Sequence, residues 1–172
     1  MTDILTPSML PDCKLTGKGE PRQTQPLTMR NVNFVLEHMR AKLRFDVMAG
    51  RPAIFVDGEA VPLAYHGFVI ETLSDHLVKL DINNIGRLHT MVTEISRLDQ
   101  YHPMEEWLKG LKWDEVSRMT TLIGSVKTDN PLWGVYLENW LIQVVEGVCG
   151  WRERKVPLPH VLVLVGGQGV GK

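Results

Sequence analysis

One stretch narrows the fold more than any other: the apolar run Val161-Leu162-Val163-Leu164-Val165 leads directly into Gly166-Gly167-Gln168-Gly169-Val170-Gly171-Lys172. A short Val/Leu run bounded by turn residues has the character of a strand buried on both faces, as at the centre of a parallel sheet. The seven residues after it fit the spacing G-x-x-x-x-G-K. A bound phosphate needs several converging N–H donors and a backbone that approaches closely. Gly166, Gly169 and Gly171 remove β-carbons where the loop must wrap as an anion nest, and Lys172 supplies the neutralising charge. Gly167, Gln168 and Val170 complete the loop as backbone-donor positions, with no demand on the Gln168 side chain.

The Ser or Thr that would follow Lys172 and ligate magnesium is not in the sequence, nor are the helix that would hold the phosphates and the acidic strand of a metal site. This chain alone is therefore expected to be inactive, with no measurable nucleotide affinity, as a fragment or a frame-interrupted copy would be. ATP and Mg2+ are expected for a full-length protein and neither for the fragment.

Composition bounds the alternatives. With 172 residues, 19 Lys+Arg against 20 Asp+Glu and a net charge of -1, the chain is no polyelectrolyte binder. An apolar share of 44% with 23% charged residues is that of a globular protein with a core. No apolar run approaches the roughly 20 residues of a membrane helix. The opening residues lack a cationic, apolar leader, so no membrane partner and a cytoplasmic location are expected. Cys13 and Cys149 show no metal or redox spacing and read as free thiols.

Residues 1–27 gather Pro7, Pro11, Pro21 and Pro26 without lasting periodicity and read as a flexible tail. Residues 28–155 read as one mainly helical domain. In its first helix, over 28–41, Val32, Val35, Leu36 and Met39 share a face. Leu43, Phe45 and Val47, a turn at 49–51, and Ile54-Phe55-Val56 ending at Asp57-Gly58 predict a β-hairpin. Val69, Leu73, Leu77 and Leu80 predict a second helix. Ile85, Leu88, Val92, Ile95 and Leu98 predict a third, capped by Asn83 or Asn84. His102 caps a short helix from Pro103 that Gly110 closes, with Trp107 and Leu108 buried. Asn130-Pro131 starts a helix to about Val148 that is apolar almost all round, apart from Asn139, Gln143 and Glu146, as for a helix at the centre of a bundle. Residues 156–172 are the strand and phosphate loop. The fold class expected is α+β: mainly a helical bundle with a small β-hairpin, leading into the first strand and P-loop of an α/β P-loop NTPase.

The segment from His102 to Lys172 resembles the virulence-associated protein E family of phage and mobile-element NTPases. The resemblance is carried by His102-Pro103, Trp107-Leu108, Leu111-Lys112-Trp113-Asp114 with Arg118, Trp140-Leu141-Ile142, and His160-Val161-Leu162-Val163-Leu164 before the loop. Asn31-Val32, Leu36-Glu37, Phe45-Asp46 and Gly50-Arg51 look like the variable entry to the same domain. The resemblance implies a prophage or plasmid replication protein. Its activity would be that of a helicase-type ATPase that binds ATP, acts on single-stranded or fork DNA and forms homo-oligomers, often beside a primase domain. The loop residues 166–172 carry over as phosphate contacts; no metal or base role does.

Other residues have plainer readings. Trp107 and Trp140 read as core packing, whereas Trp151 beside Arg152, Arg154 and Lys155 joins a stacking face to phosphate-seeking charge and is a candidate DNA contact. Glu105-Glu106 and Asp114-Glu115 read as solvated faces. The competing function is a non-enzymatic remnant or adaptor whose helical region binds protein or DNA. A small-molecule kinase shares the loop but places it near the N-terminus.

Overall fold

The computed structural model describes residues 5–16, 22–153, 161–163 and 165. The chain divides into two compact units, Met1–Tyr101 and His102–Lys172. Residues 28–155, read from the sequence as one domain, thus fall on both sides of a boundary at Tyr101. The fold is mixed α+β. Among the described residues it has six helices and six strands, the strands forming a two-stranded and a four-stranded sheet.

The first unit is built on the four-stranded sheet. Strands β1 (Lys14–Thr16) and β2 (Arg22–Thr24) form an antiparallel pair ahead of helix α1 (Met29–His38). Strands β3 (Ala41–Asp46) and β4 (Arg51–Val56) form the expected hairpin. Asp46 closes its turn, its Oδ1 accepting from the Met48 and Ala49 amides at 2.9 Å, and Gly50 takes the left-handed φ of 66° that glycine tolerates. A second tight turn at Asp57 (φ 52°) and Gly58 (φ 88°) leads into β5 (Glu59–Ala60). Two successive positive φ values match the right-handed twist of a two-residue hairpin.

Helices α2 (His66–Lys79) and α3 (Leu88–Leu98) then carry the chain to β6 (Gln100–Tyr101), which pairs parallel to β3. The sheet order is β5-β4-β3-β6. Val32, Val35 and Leu36 of α1, Leu73 and Leu77 of α2, Leu88, Val92 and Ile95 of α3, and Leu43 and Ile54 of the hairpin form one buried core. Across the pleat from Leu43, Arg44 lies over the Tyr101 ring at 4.3 Å, and Asp99 takes the Lys42 ammonium at 2.6 Å. That contact holds the Asp99 carboxyl below the ordinary carboxylate range.

Several expectations change. The flexible tail of residues 1–27 is ordered over its described part. Leu10 is buried, and Leu5 and Leu27 pack on the same core. The fastening is Asn31, fully buried in the first turn of α1. Its Oδ1 accepts from the Asp12 amide at 3.0 Å, and its Nδ2 donates to the carbonyls of Asp12 (2.9 Å) and Pro26 (2.8 Å). Thr28 caps the helix, its Oγ1 accepting from the Asn31 amide and donating to Asp12. Neither Asn83 nor Asn84 caps α3, which starts at Leu88 behind Arg87. Leu98, the last residue of α3, is 76% exposed, whereas Met91, one heptad earlier on nearly the same face, is buried.

The second unit consists of α4 (Pro103–Gly110), α5 (Met119–Gly124), which the sequence reading missed, and α6 (Trp133–Cys149). Asn130 does not cap α6, which starts at Trp133 behind Leu132; its Oδ1 accepts from the Leu132 amide at 2.9 Å in the turn ahead of the helix. The Trp133 indole donates to the Ile123 carbonyl at 3.0 Å, binding α5 to α6. A β-carbon at Gly134 would meet Ile123 at 3.2 Å, so glycine permits that close approach.

Helix α6 is not the centre of a bundle. Only Leu137 is buried in it, whereas Val135, Tyr136, Ile142 and Val145, and Leu132 just ahead of it, are about half exposed; α4 and α5 pack on it. The bundle expectation thus gives way to a sheet-based unit and a small helical one. Trp107 also lies exposed rather than buried. Residues 161–163 and 165 form no strand, since no described strand pairs with them and a lone strand leaves its ladder groups unmet.

Replacing Asn31 by Ala removes three buried hydrogen bonds and strands two carbonyls and an amide, so denaturant unfolding should show a loss of about 2–3 kcal/mol. Replacing Arg30, whose bond to Asp12 is exposed, should cost below about 1 kcal/mol. Equal effects would show that Asn31 does not fasten the N-terminal arm.

Candidate functional site

The second unit contains two features that bring polar chemistry together. The first is at the start of α4. His102 caps the helix, its Nδ1 accepting from the Glu105 amide at 3.3 Å, with Pro103 at the first helical position, as the sequence reading expected. The consequence for Glu105 was not expected. Glu105 is 6% exposed rather than on a solvated face. One carboxylate oxygen accepts from Lys109 Nζ at 2.7 Å, one helical turn on, and the other accepts from the Trp151 indole Nε1, also at 2.7 Å. Both oxygens are thus satisfied, by donors from opposite ends of the unit.

The Lys109 bond first, and the indole bond second, hold the Glu105 carboxyl below its ordinary range; the same contact raises Lys109. Trp151 also meets the His102 ring at a centroid separation of 5.9 Å, and the Arg152 guanidinium lies 4.6 Å from its ring centroid. Trp151 is therefore first a clasp that ties the end of α6 to α4. Of the candidate DNA contacts, Trp151 and Arg152 meet here; Arg154 and Lys155 lie outside the described residues. A signal for Glu105 was present in the sequence: an acid at the third helical position after a capping residue, with a cation four residues on.

The second feature is a groove of about 550 Å³ between α6 and residues 161–163, lined by Tyr136, Asn139, Trp140, Gln143, Val161, Leu162 and Val163. Tyr136 and Trp140 are one turn apart, as are Asn139 and Gln143, so an aromatic row and an amide row run side by side along the helix. Read from the sequence, Asn139 and Gln143 were only the polar stripe of a bundle helix, and Trp140 only core. Gly166, Gly167, Gln168, Gly169, Val170, Gly171 and Lys172 lie outside the described residues, so their phosphate-binding role stands on the sequence.

Among the described residues there is no cluster of three or more His, Cys, Asp or Glu side chains that could hold a metal ion. No described helix is long and apolar enough to cross a membrane. No protein-family model, curated protein or solved structure matches the chain.

The clasp makes a pH prediction. A carboxyl whose folded pKa is depressed stabilises the fold fully above its unfolded pKa, about 4.3 for Glu, and loses that contribution as pH falls through the folded value. The Tm gap between wild type and Glu105→Gln should be constant above about pH 5 and shrink below it. A gap independent of pH down to the acid limit would show that ionised Glu105 does not hold the clasp.

Proposed function

We propose that this chain is part of a DNA-acting P-loop ATPase of the virulence-associated protein E type, in which helices α4 to α6 precede the phosphate loop. The observation that carries the reading is the G-x-x-x-x-G-K sequence directly after an apolar run, behind His102-Pro103, Trp107-Leu108 and Leu111-Lys112-Trp113-Asp114.

In this reading the amides of residues 166–171 converge on the phosphates of ATP, and the Lys172 ammonium neutralises charge on the β- and γ-phosphates. Magnesium, when bound, supplies further charge neutralisation at those phosphates. The loop binds and orients the nucleotide, and hydrolysis is coupled to work on single-stranded or fork DNA in a cytoplasmic replication setting, by a homo-oligomer. Such a protein belongs to a prophage or other mobile element. The exposed apolar side chains of α6 and of Val161, Val163 and Val165 support the reading, because a P-loop domain packs helices on a buried parallel sheet.

The same exposed face of α6 favours a second reading, a non-enzymatic adaptor that binds another protein through Leu132, Val135, Ile142 and Val145. The readings separate on hydrolysis. The full-length protein should hydrolyse ATP faster with single-stranded DNA present, and Lys172→Ala should lower the rate by about 100-fold or more. A wild-type rate no higher than that of Lys172→Ala would leave the adaptor reading in its place.

A further inference from the structure

We propose that the cavity between the N-terminal arm and the start of α3 binds a phosphate monoester, with the phosphate at Arg87 and the organic part on Pro26, Leu27 and Met91. The inference is independent of the phosphate-loop reading, because every residue it uses lies in the first unit. The cavity measures about 280 Å³ and is lined by Gln25, Pro26, Leu27, Asn84, Arg87 and Met91, a size that suits a small organic anion. Asn31 fixes the arm side of it, since its Nδ2 holds the Pro26 carbonyl at 2.8 Å.

Gln25 is the residue that asks for a ligand. It is 8% exposed, and its Oε1 is sealed from solvent without a hydrogen-bond partner. A dry, unmet carbonyl destabilises the ligand-free fold, and a leucine of similar shape would pack there without that penalty. The penalty is offset only if the amide forms bonds in another state. The cavity beside it is where those bonds can form: a turn about the side-chain torsions brings the amide into that space, and Oε1 gives up no bond in leaving. There Nε2 donates to an oxygen of the phosphate, and Oε1 accepts from a hydroxyl of the organic part.

The α3 side supplies the charge. This 11-residue helix starts behind Arg87 with no side chain capping it and no acid in its first turn, so nothing on the helix itself offsets the positive end of its dipole. Arg87 and Met91 stand one turn apart and both line the cavity. Arg87 is exposed, and among the described residues no carboxylate pairs with it. A guanidinium fork matches two oxygens of a phosphate, and Asn84 adds an amide at the same wall. A monoester is favoured over a diester because its larger charge gains more from the guanidinium and the helix end, and because it presents three accepting oxygens.

The test uses the whole chain carrying Lys172→Ala, which removes the phosphate loop as a competing anion site, so no outcome bears on the ATPase reading. Calorimetry and thermal melting are run with glucose 6-phosphate, glucose, a 5′-phosphorylated oligonucleotide and its 5′-hydroxyl counterpart. At least one phosphorylated probe should bind about tenfold or more tightly than its counterpart without phosphate. The tighter of the two identifies the source of the ester, a small metabolite or a strand end. Arg87→Ala should weaken that binding about tenfold or more. Gln25→Leu should weaken it about tenfold while leaving the ligand-free Tm equal or higher, a combination that a purely structural glutamine does not give. A Gln25→Leu chain that melts lower and binds as its parent does would show that the amide serves the fold, and would overturn the site. So would Arg87→Ala binding at parental strength, oligonucleotide binding that ignores the 5′-phosphate, or no binding of either ester at millimolar concentration.

Discussion

A buried hydrogen-bonding group has to be satisfied, and in each unit of this protein one such side chain does the joining. In the first unit Asn31 has no contact with water and spends its amide on three backbone groups of two segments that precede it. In the second, Glu105 gives one oxygen to Lys109 and the other to Trp151, which is 46 residues away. Neither interaction adds much net energy over solvation in water. Their force lies in the penalty for breaking them, since the group left behind is dry. Elements with little regular structure of their own, such as the stretch ahead of α1 and the turn after α6, are held in this way.

What the sequence disclosed follows from which signals are local. The stripes Val32-Val35-Leu36 and Leu73-Leu77-Leu80, the Asp57-Gly58 turn and the His102-Pro103 cap depend on neighbours within a few residues, and the structure contains all of them. The N-terminal arm was misread because its order comes from Asn31, which no period reveals. Glu105 was misread because a paired acid on a helix is usually solvated, and its burial depends on an indole far along the chain. Helix α6 was misread for a different reason. An apolar circumference states a demand for cover, and the described elements meet that demand on two sides only. The groove was only half legible: Asn139 and Gln143 were visible as polar interruptions, but their wall partners at 161–163 were expected to pair as a strand.

The proposed chemistry uses both kinds of information. The phosphate loop is a sequence feature whose logic is backbone amides, absent β-carbons and one ammonium. The groove is a structural feature, with Tyr136 and Trp140 beside Asn139 and Gln143 along α6. The clasp at Glu105 ties the end of α6 to α4, so the placing of that helix traces back to one satisfied carboxylate.

The most direct measurement of the central claim is to read the gene past the codon for Lys172. The account predicts Ser or Thr in the next position, a helix-forming segment after it and, further on, an apolar strand ending in an acidic residue, the parts that take magnesium and complete the phosphate site. A stop codon at that point, or a continuation without the hydroxyl and the acid, would contradict the ATPase reading.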